Sequence, residues 1–402
     1  MAAAVALAMT SGKTGAAPMP TPENNRNDFY DVAIVGGGLS GLCVARGLAQ
    51  RGLTYVVLEA SDERFGGRLR NTRVNEIDLG AAWIWPKHGQ HRVARLLDDL
   101  GIATFPQPGD PGNTRVVGGT AALISGILQG LDSERLKLGW RLESISMTED
   151  DPFIVLTPSQ KDQEQLNKPI LARFAVMAAP PRKLTDGSIQ FAPKLRSKRY
   201  EAMRRAHTWM AGVTKVVVHF SKPFWRQNPT GQDIANIGIS AAGPAFQVYD
   251  ASSFEDATVA LTFFALAPSD LSSGSPVADQ ALAEACCQQL AATWQRYRVP
   301  FEFSNALIKG CRDSDTARVV AQRWPLEQHI SDEAEPTTIH PHPRPLVALS
   351  REEWGGRLLF AGTESDQTYP GVIEGAIGSA DRVLEALLDG RVAAAEEAGE
   401  EL

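Results

Sequence analysis

Residues 30–70 read YDVAIVGGGLSGLCVARGLAQRGLTYVVLEASDERFGGRLR, and this stretch decides the fold. Val32 to Val35 form an apolar run that ends at a glycine, which predicts a buried strand. Apolar residues then recur at helical spacing from Leu39 to Leu48, and a second apolar run, Thr54 to Leu58, ends at Glu59. The order strand, helix, strand predicts a β-α-β unit of the dinucleotide-binding type.

The turn from strand to helix carries Gly36, Gly38 and Gly41 in G-x-G-x-x-G spacing. The first glycine permits a tight turn, the second lets the backbone approach a pyrophosphate, and the third lets helix and strand pack closely. The pyrophosphate then sits on the helix N-terminus, at Leu39 and Ser40, where free N–H groups and the helix dipole favour anions. A structural glycine turn is the alternative, and the strands and helix around the motif favour the dinucleotide.

An acidic residue and a second glycine motif follow the β-α-β unit. Glu59 lies 18 residues after Gly41, in position to accept hydrogen bonds from ribose hydroxyls. An acid there leaves no room for a 2′-phosphate and disfavours NADP. Gly66 and Gly67 free the backbone for close approach, and Arg68 has the planar fork that pairs with a phosphate. A surface turn with a solvated arginine stays an equal alternative from this stretch alone.

Motifs along most of the chain resemble those of the flavin-containing amine oxidases, a family that includes monoamine, polyamine and L-amino-acid oxidases. They occur in the family's order between residues 29 and 389: VGGGLSGL, VLEASDERFGGR, DLGAAWI (78–84), RVVGGTAAL (115–123), VMAAPPRKL (176–184), KVVVHFSKPFW (215–225) and LLFAGTESDQTYPGVIEGAIGSADRV (358–383). The resemblance implies an α/β fold, with a Rossmann-like FAD-binding domain of the GR2 type and an inserted α+β substrate domain.

The same resemblance implies which residues contact FAD. The backbone at Leu136 would contact the adenine, and the N–H groups at the start of the last helix would face the flavin pyrimidine and stabilise negative charge on the reduced ring. The complete predicted cofactor set is Gly36, Gly38, Leu39, Ser40, Gly41, Glu59, Ala60, Gly66, Gly67, Arg68, Gly80, Ala81, Ala82, Trp83, Leu136, Gly362, Thr363, Glu364, Gly371, Val372 and Ile373.

Lys215 is the predicted catalytic residue. Val213 to Phe220 alternates as a strand, with Lys215, Val217 and His219 on one face. An isolated lysine there would be a solvated strand residue, but the lysine at this motif position in monoamine and polyamine oxidases holds a water against the flavin N5. Trp324 matches a family tryptophan that packs near the flavin, and a buried core tryptophan is an equal alternative.

Two family features are missing. The cysteine that links FAD covalently in some monoamine oxidases falls near Glu333, so we expect non-covalent FAD. The two tyrosines that form an aromatic cage for the amine match Val372 and a position near Ala334, and Tyr369 is the nearby candidate to replace one of them. A small aryl-alkyl amine is therefore disfavoured as the substrate.

We predict a discontinuous FAD-binding domain at 29–105, 114–204 and 327–390, with a substrate domain at 205–326. Residues 1–28 are expected to be a disordered leader and 391–402 a solvated acidic tail. The chain passes from Thr104 to Arg115 through a short turn-rich connection, where family members carry a long helical insertion over the substrate cavity. We expect a more open active site, or a cover supplied by another subunit.

Charge and composition exclude several classes of protein. A net charge of −7 gives no reason to expect nucleic-acid binding. The four cysteines show neither metal-ligand spacing nor a disulfide framework, which suits a reducing compartment. No apolar run is long enough to span a membrane, and no basic segment precedes the apolar N-terminus as in a secretory signal. We expect a cytoplasmic protein without metal, with a secretory or organellar leader as the weaker alternative.

The resemblance predicts an FAD-dependent amine oxidase that passes hydride from the substrate to flavin N5. Oxygen would be reduced to hydrogen peroxide, and the imine would hydrolyse to an aldehyde or ketone plus ammonia. The substrate would be a bulky or long-chain amine, and a homodimer is left open. The alternatives are an L-amino-acid oxidase, which needs a carboxylate-binding arginine such as Arg226 or Arg323, an FAD-dependent desaturase, or a non-catalytic FAD-binding scaffold.

Overall fold

The fold is taken from a computed structural model of the 402-residue chain. It describes residues 29–72, 76–148, 152–160, 168–226, 239, 242–296, 319–332 and 338–398. The predicted leader, Glu333, Ala334 and the end of the acidic tail lie outside the described residues. The last helix extends to Ala398, into the predicted tail.

Most of the regular structure forms two sheets and the helices that cover them. The helices are α1 Leu39–Ala49, α2 His91–Leu100, α3 Ala121–Gln129, α4 Ser197–Arg205, α5 Pro276–Arg296, α6 Val347–Ser350 and α7 Ile373–Ala398. The strands are β1 Phe29–Val35, β2 Tyr55–Glu59, β3 Thr104–Gln107, β4 Asp110–Val116, β5 Leu136–Leu138, β6 Trp140–Ser146, β7 Ile154–Gln160, β8 Ile170–Met177, β9 Gln190–Ala192, β10 Thr214–Phe220, β11 Ala245–Asp250, β12 Val259–Ala265, β13 Val319–Arg323 and β14 Leu358–Phe360.

The larger sheet has the strand order β5-β2-β1-β8-β7-β6-β9, with β14 also paired to β8. Its centre is parallel, because β1 pairs in parallel with β2 and β8, and β14 does so with β8. Parallel strands end at a common edge, where open α/β sheets bind their ligands. The motifs that follow β1, β2 and β14 therefore meet at this edge, and the predicted Rossmann-like α/β fold is confirmed.

Strand β1 alternates between two apolar layers. Val32 and Ile34 pack into a core with α1, α2, α3 and α7, whereas Ala33 and Val35 pack into a core on the other face of the sheet. All four side chains are buried. The strand reads as a continuous apolar run because both faces are covered, as is usual for parallel sheets.

The smaller sheet has the order β11-β12-β10-β13 and is antiparallel. Val216 and Val218 of β10 pack against α5, and Val217 packs against the loop that contains Ile77 and Leu79. Because neighbouring strand residues point to opposite faces, Lys215 lies on the Val217 face and is directed toward that loop.

The expected turn-rich connection between Thr104 and Arg115 is a β-hairpin instead. Strands β3 and β4 pair antiparallel, and Gly109 at the turn has a φ of 77°. Sequence reading missed the hairpin because Pro106 in β3 and Pro111 and Gly112 in β4 mask the alternation that marks a strand. Phe105 and Val116 are buried, so the hairpin is anchored to the core.

We predict that Gly41→Ala destabilises the protein by about 1–3 kcal/mol, the usual cost of overpacking. A Cβ at Gly41 would lie 2.0 Å from the Gly36 carbonyl oxygen, which belongs to the backbone and cannot move aside. The measurement is the urea midpoint of unfolding without added cofactor. Gly130→Ala is the control, because a Cβ there meets its nearest atom at 3.7 Å. Equal midpoints for both variants would contradict the packing argument.

Candidate active site

A cavity of about 1100 Å³ runs from the carboxyl edge of the large sheet to the face of β10. The residues that line it come from both glycine motifs, the DLGAAWI loop, β10 and the segment between β14 and α7. From the predicted set it is lined by Gly36, Gly38, Leu39, Ser40, Glu59, Ala60, Gly66, Gly67, Arg68, Gly80, Ala81, Ala82, Trp83, Lys215, Trp324, Gly362, Thr363, Gly371, Val372 and Ile373.

Four predicted residues do not line this cavity. Gly41 faces the Gly36 backbone, Leu136 pairs with Val57 in the sheet, and Glu364 is buried in an ion pair. Tyr369 also lies outside. Its backbone oxygen packs against Gly375 of α7, and its hydroxyl is directed toward Gly89. The structure therefore does not bring Tyr369 to the place of a cage tyrosine.

Gly38 is the point where the glycine turn is open to the cavity. A Cβ added there would meet no atom within 4 Å, whereas Cβ atoms at Gly36 and Gly41 would collide with backbone. Gly36 also has a φ of 112°, which side-chain-bearing residues rarely adopt. Gly36 and Gly41 thus shape the turn, and Gly38 leaves its backbone accessible to a ligand.

Glu59 ends β2 with its carboxylate held by backbone donors. Gly37 donates its N–H to Oε2 at 2.7 Å, and Ser61 donates its N–H to Oε1 at 2.8 Å. Burial raises the pKa of Glu59, and the hydrogen bonds oppose that rise. Each oxygen keeps a second lone pair, so the carboxylate can still accept a hydrogen bond from a ribose hydroxyl.

Arg68 has a carboxylate partner within the chain. Its two terminal nitrogens donate to the Glu364 carboxylate at 2.6 and 3.0 Å. The fork predicted to hold a phosphate, or to be solvated, therefore binds Glu364, which is buried. Arg64, which the sequence analysis did not select, also lines the cavity and donates to the Gly67 carbonyl at 2.8 Å. These arginines fix the second glycine turn.

Lys215 is buried at the junction of the two sheets. Its Nζ donates to the Gly80 carbonyl at 2.6 Å and lies 3.3 Å from both the Asp78 carbonyl and the Tyr249 hydroxyl. It also lies 4.9 Å from the centre of the Phe264 ring. Burial lowers the pKa of Lys215 from 10.5 to about 7, against the attraction of Asp78.

Sequence reading missed two charged residues next to Lys215. Asp78 is fully buried, and its carboxylate accepts hydrogen bonds from the Thr120 N–H and hydroxyl at 2.7 and 3.0 Å. Arg115 on β4 lies 3.5 Å from it and donates to the Ser252 carbonyl. Burial raises the pKa of Asp78. Asp78 begins the motif DLGAAWI and Arg115 begins RVVGGTAAL. Their place in motifs that resemble those of the family could have identified both residues from the sequence.

Aromatic side chains form much of the wall around Lys215. Trp83 packs against Tyr249 and Phe264, with ring centres 4.8 and 5.9 Å apart. Trp324 donates its indole N–H to the Leu79 carbonyl at 3.0 Å, so it lines the cavity and also belongs to the buried structure. Trp209, which the sequence analysis did not select, also lines the cavity.

The β3–β4 hairpin holds this wall in place. Gln107 accepts the indole N–H of Trp83 at 2.9 Å and donates to the Asp250 carbonyl at 2.6 Å. Asn113 accepts the indole N–H of Trp85 at 2.6 Å. The hairpin thus connects the cavity loop to the smaller sheet.

The two arginines considered for binding a substrate carboxylate are engaged elsewhere. Arg226 pairs with Asp250 and Asp256, at 2.6 Å in each case. Arg323 pairs with Asp279 at 2.7 Å. Neither lines the cavity.

The described part of the chain contains neither a membrane-spanning helix nor a metal-binding cluster. No described helix has the length and apolar character needed to cross a bilayer. No group of three or more histidine, cysteine, aspartate or glutamate side chains is placed to bind a metal ion among the residues described.

Two protein-family models match consecutive parts of the chain. A model described as flavin containing amine oxidoreductase matches residues 109–388. A model of the NAD(P)-binding Rossmann-like domain matches residues 34–100.

Individual relatives agree with these matches. Flavin-containing amine oxidase B of Homo sapiens is 47% identical over 78 residues, which are 19% of this chain and 14% of that protein. The matched segment of the Sus scrofa amine oxidase A likewise spans 16% of that protein. The probable flavin-containing monoamine oxidase A of Dictyostelium discoideum is 23% identical over 480 residues, covering 90% of this chain and 98% of that protein.

Solved structures share the fold at low sequence identity. A putrescine oxidase bound to putrescine has a TM-score of 0.67 and 16% identity, covering 90% of this chain and 99% of its own. The cyclohexylamine oxidase of Brevibacterium oxydans has a TM-score of 0.63 with the same identity and coverage.

We predict that Gln107→Leu destabilises the protein by about 1–3 kcal/mol, because it leaves the buried Asp250 carbonyl without its side-chain donor and the half-buried Trp83 indole N–H without its acceptor. The measurement is the urea midpoint of unfolding. Asn113→Ala is the matched control, since Asn113 is half-buried, unlike the buried Gln107, and water can replace it as the partner of the Trp85 indole N–H. A larger loss in the control than in Gln107→Leu would show that the hairpin does not fix Trp83.

Proposed function

Because this chain belongs to the flavin-containing amine oxidoreductase family, we propose that it binds FAD without a covalent link and oxidises an amine. The observation that supports this most directly is the continuous cavity that joins the dinucleotide motif to the buried Lys215. The cavity holds the glycine turn and Glu59 at its nucleotide end and Lys215 with aromatic walls at the other. It thus offers both a cofactor cradle and a reaction chamber.

The residues present fit FAD. Gly38 leaves the backbone open where a pyrophosphate would lie, and Glu59 has free lone pairs for a ribose. Gly371 precedes α7, and Val372 and Ile373 would hold the flavin pyrimidine by their N–H groups, at the positive end of the helix dipole. None of the described cysteines, Cys43, Cys286 and Cys287, lines the cavity, which supports non-covalent binding.

FAD, when bound, would accept hydride from the carbon beside the substrate nitrogen and reduce oxygen to hydrogen peroxide, leaving an imine that water hydrolyses to an aldehyde or ketone and ammonia. The chain must supply a site that excludes water and orients the amine. Lys215 would hold a water by its Nζ, anchored by the Gly80 carbonyl. The apolar surroundings favour the neutral form of the substrate amine, which is the form that can release hydride.

The charges in the cavity favour a substrate with one amino group and an apolar body. The carboxylates among the described lining residues already have partners: Glu59 binds backbone N–H groups, Asp186 binds Lys183, Glu327 binds Arg70 and Asp332 binds Arg182. A second ammonium group, as in a diamine, would find no unpaired carboxylate among them. A bulky or long-chain monoamine is therefore the proposed substrate.

The L-amino-acid oxidase alternative is less well supported. Its substrate carboxylate needs a cation, and Arg226 and Arg323 are both paired outside the cavity. Among the described residues, the arginines that line the cavity are Arg64, Arg68 and Arg141. The first two hold the second glycine turn, and Arg141 lies on β6 of the large sheet. The scaffold alternative is also weakened, since a protein that only binds FAD has no need for a buried lysine held at 2.6 Å from a loop carbonyl.

Anaerobic mixing of the FAD-loaded protein with a panel of amines and amino acids tests the proposal. We expect a bulky monoamine to bleach the oxidised-flavin absorbance and air to restore it with release of peroxide. Diamines and amino acids should react at least tenfold more slowly. An oxidised spectrum with every amine, in protein that dithionite still reduces, would favour the scaffold or desaturase alternatives.

We predict that Lys215→Met slows anaerobic flavin reduction by about 100-fold, within the usual range for a group that handles protons. The pKa of Lys215 is lowered to about 7, so its Nζ is charged below that pH and neutral above it. Loss of hydride leaves positive charge on the substrate, and a charged Nζ beside the cavity would repel it. The wild-type rate should therefore rise with pH through about 7, whereas Lys215→Met should lose that rise and keep only the one due to the substrate's own ionisation.

Lys222→Met is the control, because Lys222 is exposed just after β10. It should keep both the rate and the pH profile of the wild type. The same pH profile in Lys215→Met and in the wild type would show that Lys215 takes no part in the reaction.

A further inference from the structure

We propose that Trp209 determines substrate choice, by forming an aromatic wall that selects ring-bearing monoamines over open-chain monoamines. The proposal rests on the proposed function and specifies its substrate class. Trp209 lines the cavity and is only half-buried, so part of its ring surface is available for contact. It comes from the segment between α4 and β10 and not from the positions that carry the family's cage tyrosines.

A strained turn presents this side chain. The Ala211 N–H donates to the Thr208 carbonyl, and the Val213 N–H donates to the Met210 carbonyl, each at 3.1 Å. Met210 has a φ of 64°, a left-handed conformation that a residue with a side chain rarely adopts. Residues held in such conformations cluster at ligand-binding and active sites. Met210 lines the cavity beside Trp209.

Neighbouring residues fix the orientation of the Trp209 ring. His342 packs edge-on against it, with ring centres 4.6 Å apart and planes at 63°. On another side, a Cβ built on Gly371 would lie 3.4 Å from Trp209 Cε3 and 2.6 Å from Pro343. Trp209 and Pro343 thus occupy the space that a side chain at position 371 would need. A ring confined in this way loses little conformational freedom when a ligand packs on it.

The position of Trp209 compensates for what the chain lacks. Val372, the residue after Gly371, matches a cage tyrosine position but supplies only an aliphatic side chain to the cavity. Trp209 contacts the segment that precedes Val372, and therefore provides an aromatic surface next to the missing tyrosine. Aromatic rings favour offset-stacked and edge-on contacts with other rings. An open-chain amine cannot make these contacts, so the wall discriminates by shape.

The test compares Trp209→Leu and Trp209→Phe with the wild type as FAD-loaded enzymes. 4-Phenylbenzylamine and n-decylamine serve as a bulky ring-bearing and a long open-chain substrate, and kcat/KM is measured for each. A second measurement needs no turnover: 2-phenylpropan-2-amine and tert-octylamine have no hydrogen on the carbon beside nitrogen, and their Kd values follow from the change in the oxidised-flavin spectrum. Trp354→Leu is the matched control, since Trp354 is another half-buried tryptophan and does not line the cavity.

We expect Trp209→Leu to lower the ratio of the 4-phenylbenzylamine kcat/KM to the n-decylamine kcat/KM about tenfold, and to weaken the binding of 2-phenylpropan-2-amine by a similar factor. Trp209→Phe should recover most of both losses, and Trp354→Leu should change neither ratio. Equal losses for ring-bearing and open-chain amines would overturn the proposal, because they indicate a structural or flavin-positioning role. An unchanged ratio in Trp209→Leu, or a wild type without ring preference, would also overturn it.

The measurements separate failure of the oxidase function from failure of the role proposed for Trp209. If no amine bleaches the wild-type flavin, the oxidase function fails. The role of Trp209 is then judged by the Kd values alone: selective weakening of 2-phenylpropan-2-amine in Trp209→Leu supports it, and absent or unselective binding overturns it.

Discussion

The contact of Lys215 with the Gly80 carbonyl is the constraint on which the site depends. Lys215 belongs to the smaller sheet, and Gly80 belongs to a loop that follows the first β-α-β unit of the larger sheet. The hydrogen bond therefore connects the sheet edge that carries the glycine turn to the part of the fold that forms the aromatic wall of the cavity. A residue with a side chain cannot replace Gly80, because its Cβ would lie 1.8 Å from the Arg68 carbonyl oxygen.

Buried charge is concentrated around this contact. Asp78, Arg115 and Lys215 are each at most 3% exposed, and the hairpin delivers Arg115 to the group. Burying such groups costs free energy that mutual attraction recovers only in part, so their presence is better explained by control of charge than by stability. Asp78 and Arg115 act on the pKa of Lys215 in opposite directions, and burial outweighs both.

The sequence predicted the lining residues at the sheet edge better than those around Lys215. Gly36, Gly38 and Glu59 are specified by local backbone chemistry, so spacing alone located them on the correct edge of the sheet. Trp209 and Gln107 have no such local pattern, because each acts through contacts with residues far away in the chain. Tyr369 was chosen by proximity in sequence to the missing cage residue, and the packing of its backbone against α7 turned it away.

The ion pair between Arg68 and Glu364 joins residues 296 positions apart. Close to it, β14 completes the parallel centre of the large sheet, and α7 packs on α1 where Leu384 fills the space beside Gly47. A chain still under synthesis lacks these elements until residues of α7 have been made. The edge of the sheet that carries the first glycine turn is thus completed by residues made long after the turn itself, so its final geometry cannot be reached while the growing chain ends short of α7.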